Sequence, residues 1–207
     1  MSVRAVATLD RNVTARSPLT KLLHFAVAAC VVHQLVISQI MQPPTATAAG
    51  DLAWQAHRAV GLASLGLLLA FWVWVLFRRG EASVDRLLPW FSAKLRGALL
   101  RDIGDHLRVL RLRRLPPPGD RPLAAAVHGL GLLTASAMAL TGAAALLPGL
   151  PPSLLDADLS MHSAVANLMW AYLVGHATLA LLHEAAGHRL LRGMFLPSVT
   201  GGAEEDT

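Results

Sequence analysis

The sequence of 207 residues has a single cysteine, Cys30, and few charged or aromatic side chains, which make up 15% and 5% of the chain. One cysteine excludes an intramolecular disulfide framework and any zinc or iron–sulfur site built from several cysteines. The shortage of charge accompanies a hydrophobic content of 54% and a mean hydropathy of +0.49, which is not the composition of an ordinary soluble domain. We expect Cys30 to be a small buried apolar residue.

Four long apolar runs cover residues 22–41, 52–77, 122–147 and 161–183. A helix needs about 20 apolar residues to cross the hydrocarbon layer of a bilayer. None of the runs contains Asp, Glu or Lys, and their one permanently charged residue is Arg58. We therefore expect an all-α membrane protein whose four transmembrane helices form one up-and-down bundle within residues 1–197. The first run is longer than the apolar region of a typical signal peptide, so we expect it to stay as an anchor.

The basic residues predict how the bundle is oriented. The N-terminal segment, the link 78–121 and the tail hold 17 of the 18 Lys and Arg residues, whereas the connections 42–51 and 148–160 hold none. Cytoplasmic connections carry the excess of Lys and Arg, so both termini and the link are expected in the cytoplasm. The net charge of +5 is thus a sign of membrane topology, and no nucleic-acid partner is expected.

The link 78–121 contains apolar residues at three- and four-residue steps, as an amphipathic helix does. These are Leu88, Phe91, Leu95, Leu99, Ile103, Leu107 and Leu110. We expect this cytoplasmic helix to lie on the lipid headgroups, with Trp90 and Phe91 at the boundary and its arginines facing anionic lipid. The alternative is that it docks a cytoplasmic partner. The prolines at 116–118 would end the helix, and the tail 198–207 is expected to be disordered.

Histidine is the unusual component of the apolar runs. Seven of the nine histidines of the chain lie inside them. They are His24, His33, His57, His128, His162, His176 and His183. Ionisable side chains are unfavourable in lipid and usually mark a functional site.

The spacing of these histidines predicts two layers, one near each membrane face. His162 and His176 are 14 residues apart, which corresponds to about 21 Å of rise and roughly the same side of the helix. Two such residues suit two flat macrocycles stacked in the core of the bundle, each taking a second imidazole from another helix. His57 would complete the outer site. Spacing alone leaves both His24 and His128 open for the inner site.

We expect separate roles for the remaining histidines of the runs and for the residues next to His57. His33 lies nine residues after His24, hence on the opposite face and near mid-membrane, where we expect a packing or hydrogen-bonding residue. His183 lies near the cytoplasmic edge, where it could serve a propionate, a proton or a quinone, or simply sit at the interface. Arg58 could pair with a heme propionate at the outer face or extend to the headgroups. Gly61, one turn after the outer histidine of the second run, would leave room for a flat ring.

Several of these motifs resemble one protein family. The sequence MHSAVANLMWAYLVGH at 161–176, with its continuation to residue 197, resembles the last helix of the prokaryotic cytochrome b561 family, whose superfamily includes the cytochrome b subunits of nickel-dependent hydrogenases. KLLHF at 21–25 and WQAHRAVG at 54–61 are similar to the histidine motifs of its first and second helices. The resemblance covers most of the chain and is weakest in the link.

The resemblance implies a four-helix cytochrome of the bacterial inner membrane with two b-type hemes. It assigns His57 and His162 to the outer heme iron and His24 and His176 to the inner one, so that the family pattern, and not spacing, selects His24 and leaves His128 in reserve. Arg58 and Gly61 would contact the outer heme.

Our functional hypothesis is electron transfer across the bilayer between a quinone or quinol and a redox partner at the outer face. The quinone would be ubiquinone or menaquinone. The partner would be a c-type cytochrome, a dehydrogenase or hydrogenase subunit, or superoxide itself. Both an independent carrier and a subunit of a larger oxidoreductase fit this hypothesis. The alternatives are a histidine-lined transporter of divalent metal ions, which would lack carboxylate ligands within the spans, and a membrane anchor subunit.

Overall fold

The computed structural model describes residues 16–78, 83–116, 119, 121–188, 191 and 194, which form six α-helices and no strand. The N-terminal arginines at 4 and 11 and the predicted disordered tail lie outside the described residues. The helices are α1 (Pro18–Ile37), α2 (Leu52–Phe77), α3 (Val84–Leu87), α4 (Ala93–Arg111), α5 (Pro122–Ala144) and α6 (Pro152–Ala185), and a 3-10 turn at Pro89–Phe91 joins α3 to α4. Four of them, α1, α2, α5 and α6, are long and apolar enough to cross a membrane. The predicted all-α membrane bundle is confirmed.

The four long helices pack in the order of the chain: α1 on α2, α2 on α5, and α5 on α6. Two indole groups of α2 join it to its neighbours. Trp74 Nε1 donates to Thr20 Oγ1 of α1 over 2.8 Å, and Trp72 Nε1 donates to Ser136 Oγ of α5 over 3.0 Å. Hydrogen bonds of this kind hold helices together where lipid removes the hydrophobic driving force.

Small residues make α5 the most buried of the four spans. A Cβ atom at Gly129 would lie only 2.0 Å from the Leu87 carbonyl oxygen, and one at Gly131 would lie 2.2 Å from the ring of Tyr172. Glycine therefore lets the link pack directly on α5 and lets α6 approach it closely, as small residues do between membrane helices.

The observed helix bounds correct several of the predicted ones. The first helix runs from 18 to 37 and not from 22 to 41, because Ser17 caps it by accepting a hydrogen bond from the Thr20 N–H, and Pro18 occupies its first turn. The third span begins at Pro122, as predicted, and ends at Ala144.

The last helix begins at Pro152, nine residues before the predicted start, so most of the predicted connection 148–160 is helical. At 34 residues, α6 is about 51 Å long, which exceeds the hydrocarbon layer and explains why it can carry aspartates in its first turns.

The link differs from the single amphipathic helix that the sequence predicts. Pro89 interrupts it, and its main helix, α4, ends at Arg111, before the prolines that were expected to end it. On the side of α4 that faces the bundle lies a charged residue, Asp102, which is only 5% exposed. Its carboxylate accepts from Arg121 and from the Leu123 N–H over 2.9 Å, and thereby caps α5. An ion pair therefore fixes α4 against the start of the third span.

The main hydrophobic core joins all four long helices. It consists of Leu35, Leu68, Leu132, Ala135, Met138 and Met169. Met169, 2% exposed, lies seven residues from both His162 and His176 and hence on the same side of α6. The apolar core thus lies between the two predicted histidine layers.

Candidate heme-binding site

Two histidines meet near the start of α2. His57 follows the first turn of that helix, and His162 faces it from α6. The centroids of the two rings are 6.3 Å apart and the ring planes are nearly perpendicular, at 89°. The structure therefore brings together the two residues predicted for the outer site.

His162 is held from α5 by two adjacent residues. Thr141 Oγ1 lies 2.9 Å from His162 Nδ1, within hydrogen-bond distance. A Cβ atom at the neighbouring Gly142 would lie 3.1 Å from His162 Cε1, so the imidazole ring rests against the glycine backbone. Together Thr141 and Gly142 fix both the rotation and the position of the ring.

His57 is positioned from α1 and from its own helix. Gln34 is buried in α1 and donates through Nε2 to the His57 carbonyl oxygen over 2.8 Å. A Cβ atom at Gly61 would lie 2.7 Å from that same nitrogen, so the space beside Gly61 holds the Gln34 amide. The indole of Trp54 lies parallel to the His57 ring at a centroid distance of 6.3 Å. The absence of a side chain at Gly61 therefore leaves room for the Gln34 amide.

A second group of rings lies toward the other end of the bundle. The ring of His176 in α6 is 6.5 Å from that of His24 in α1, centroid to centroid, with the planes 51° apart. His128 of α5 is closer to His176, at 5.4 Å, and approaches it edge-on at 76°. Tyr172 lies one turn before His176 and stacks on it at 5.4 Å, with the planes only 11° apart. Three helices thus contribute imidazoles to the inner layer.

The ring distances test whether these residues fit a heme. Two imidazoles bound on opposite sides of one metal ion have centroids about 6.3 Å apart, since each metal–nitrogen bond is about 2.0 Å long and each nitrogen lies about 1.1 Å from its ring centre. The pairs His57–His162 and His24–His176, at 6.3 and 6.5 Å, fit this spacing. The pair His128–His176, at 5.4 Å, is too close.

Three histidine rings have a buried Nδ1 atom without a hydrogen-bond partner among the described residues, namely those of His24, His33 and His57. His33 belongs to neither pair, so these atoms do not by themselves identify heme ligands. Within the described part of the chain, no group of three or more His, Cys, Asp or Glu side chains is placed to hold a metal ion. It is the ring distances of His57–His162 and His24–His176 that suit the ligation of one iron by two imidazoles.

The other predicted residues belong to neither pair. Arg58 is exposed. His33 lies one turn before the end of α1, because α1 ends at Ile37, and is therefore closer to the end of the membrane span than the predicted mid-membrane position. His183 is buried near the end of α6, and its Nδ1 lies 2.9 Å from Nδ1 of His188.

Sequence reasoning missed four residues that contact the histidine pairs: Gln34, Thr141, Gly142 and Tyr172. Tyr172 could have been found, because residues four apart on a helix are neighbours. The contacts of the other three run between helices and depend on how α1, α2, α5 and α6 are rotated against one another. No motif in the sequence fixes those rotations.

The chain matches the family model of prokaryotic cytochrome b561 over residues 15–197, which confirms the resemblance found in its motifs. No curated protein and no solved structure matches it. The match spans all four helices that could cross a membrane and includes both histidine pairs. This chain therefore belongs to the prokaryotic cytochrome b561 family and is a multi-pass membrane cytochrome that uses heme b to transfer electrons.

Proposed function

We propose that this cytochrome holds two b-type hemes and carries electrons across the bilayer, between a quinone or quinol and a redox partner at the outer face. The observation that supports this most directly is the spacing of the two histidine pairs, at 6.3 and 6.5 Å. Their members on α6 are separated by 14 residues, or about 21 Å along the helix. One pair therefore serves each half of the membrane.

His57 and His162 would hold the outer heme, and His24 and His176 the inner one. Heme, when bound, supplies a one-electron couple. Two imidazoles on each iron leave no open coordination position, so the arrangement favours electron transfer over oxygen activation. Between the two pairs, the core around Met169 excludes water and keeps the dielectric constant low.

Arg58 lies next to His57 and is exposed. A permanent positive charge at this depth is unfavourable in lipid without an anionic partner or access to the headgroups. We propose that it pairs with a carboxylate, namely a propionate of the outer heme. The guanidinium would hold such a group through two parallel hydrogen bonds.

Electron transfer across the bilayer needs one redox partner at each end of the path. We propose ubiquinone or menaquinone as the lipid-soluble partner, because a quinone diffuses in the membrane that surrounds the bundle. At the outer face the partner is a c-type cytochrome, a dehydrogenase or hydrogenase subunit, or superoxide. The chain would work either alone or as the cytochrome subunit of a larger oxidoreductase.

We further propose that α4 lies at the cytoplasmic membrane surface, with both termini on that side. Leu100 and Leu107 lie on one side of α4 and are 68% and 52% exposed. Arg101 and Arg108 follow about 100° around the helix and are also exposed. An apolar side next to a basic side suits the boundary between acyl chains and anionic headgroups.

Spin labels in nanodiscs that contain anionic lipid test the position of α4. With Cys30→Ser as background, a label on Leu107→Cys should be accessible to oxygen in the acyl region, and one on Arg108→Cys to a water-soluble nickel complex. Equal access of the nickel complex to both labels would show that α4 lies in water.

An absorption spectrum of the purified protein tests the proposed function. Dithionite reduction should give b-type bands, and the pyridine hemochrome assay should give about two hemes per chain. In liposomes loaded with quinol, the protein should reduce an outer acceptor that cannot cross the membrane. A colourless protein that binds divalent metal ions would overturn the proposal in favour of a transporter, and a protein without any cofactor would favour an anchor.

A further inference from the structure

We infer that Thr141 is a positioning residue for the outer heme: its hydroxyl fixes the tautomer of His162 and thereby tunes the reduction potential of that heme. This inference rests on the proposed ligation by His57 and His162. It concerns one side-chain contact between α5 and α6, in which Thr141 Oγ1 lies 2.9 Å from His162 Nδ1.

The direction of this hydrogen bond follows from the hydroxyl proton. Thr141 Oγ1 also lies 2.8 Å from the Ala137 carbonyl oxygen and 3.1 Å from that of Met138, and both of these oxygens can only accept. The single hydroxyl proton is therefore directed along α5. The oxygen lone pairs remain for His162, so that Nδ1 must carry a proton and donate to Thr141 Oγ1.

A proton on Nδ1 leaves the lone pair of a neutral imidazole on Nε2, which is the nitrogen that can bind a metal ion. The hydrogen bond thus selects the ligating tautomer. Gly142 supports it, because a ring that rests 3.1 Å from the position of an added Cβ has little freedom to turn away.

The same bond changes the chemistry of the ligand. An acceptor on the Nδ1 proton makes the imidazole a stronger base and favours the ferric state of the iron to which it binds. Nδ1 of His57, on the other side of the outer site, has no partner among the described residues. His162 is therefore the ligand through which the protein lowers the potential of the outer heme.

Thr141→Val removes the hydroxyl and keeps the shape of the side chain. We expect it to raise the midpoint potential of one heme and to change the ferric low-spin EPR signal of that heme, with two hemes still bound. Thr141→Ser keeps a hydroxyl and should restore the wild-type values. Thr134→Val is the matched control, because Thr134 lies two turns earlier in α5 and donates to the Leu130 carbonyl over 2.8 Å in the same way.

Redox titration and EPR are carried out on the wild-type protein, on these three variants and on His162→Ala. The heme whose potential shifts in Thr141→Val must be the one that is lost in His162→Ala. A weaker outer site in Thr141→Val, by about 10-fold in heme affinity, would also support the inference, provided that Thr141→Ser binds heme normally.

Unchanged potentials and EPR signals in Thr141→Val would overturn the inference. The same shift, or the same heme loss, in Thr141→Ser or Thr134→Val would also overturn it, because packing and not the hydroxyl would then be responsible. These outcomes differ from failure of the proposed function, in which the wild-type protein itself would lack two hemes.

Discussion

The inner heme should depend on His24 and not on His128, although His128 is the closer neighbour of His176. The two candidate distances to His176 are 6.5 Å from His24 and 5.4 Å from His128. To reach the spacing of two ligands on one iron, His24 needs a shift of about 0.2 Å and His128 a separation by about 0.9 Å. Such a separation would require the His128 or His176 ring to turn away from the other, or α5 and α6 to move apart where Gly131 and Tyr172 pack closely.

The assay is heme content and EPR of two single variants. His24→Ala should lose one of two hemes, whereas His128→Ala should keep both. The proposed outer heme is the internal control for folding, since its proposed ligands lie on α2 and α6 and should remain in each variant. Retention of both hemes in His24→Ala, together with loss of one in His128→Ala, would refute the geometric reasoning.

Three further predictions concern the residues around the pairs. Gly61→Ala places a methyl group against the Gln34 amide and should destabilise the protein by about 1–3 kcal/mol, with weaker retention of the outer heme in detergent. Asp102→Ala removes the acceptor of the Arg121 guanidinium and of the Leu123 N–H and should cost about 1.5–3 kcal/mol, measured as a lower thermal midpoint with an unchanged heme spectrum. Met169→Ala leaves a cavity between the layers and should cost about 2–5 kcal/mol, again read from thermal unfolding; a midpoint equal to wild type would contradict the central place of this side chain.

The sequence was sufficient for features that depend on one helix at a time. The four spans follow from apolar length. The placement of His162 and His176 on the same side of α6 follows from helix periodicity. The start of α6 was predicted too late because the apolar run begins only at Met161, whereas a helix longer than the bilayer can begin in the more polar sequence before it. The prediction of one continuous helix in the link was wrong because the apolar periodicity runs across Pro89, where the helix is interrupted.

Contacts between helices could not be predicted in this way. Whether Thr141 meets His162, or Gln34 meets the backbone of His57, depends on the relative rotation and height of two helices, and no local pattern records these quantities. Small residues do mark close approach, as at Gly131, but they do not identify the neighbour. The choice between His24 and His128 was of the same kind, which is why spacing along the chain left it open.

The Thr141 hydrogen bond bears on the proposed direction of electron flow. In the proposed two-heme arrangement it favours the ferric state at the outer site, while His57 Nδ1 of the outer pair and His24 Nδ1 of the inner pair both have no partner among the described residues. We expect this hydrogen bond to lower the outer potential and thereby to favour inward electron transfer. With the cytoplasmic side negative, inward transfer is opposed by about 2.3 kcal/mol per 100 mV of membrane potential. A lower outer potential offsets part of that work, so the Thr141→Val variant, whose outer potential is expected to be higher, should transfer electrons inward more slowly.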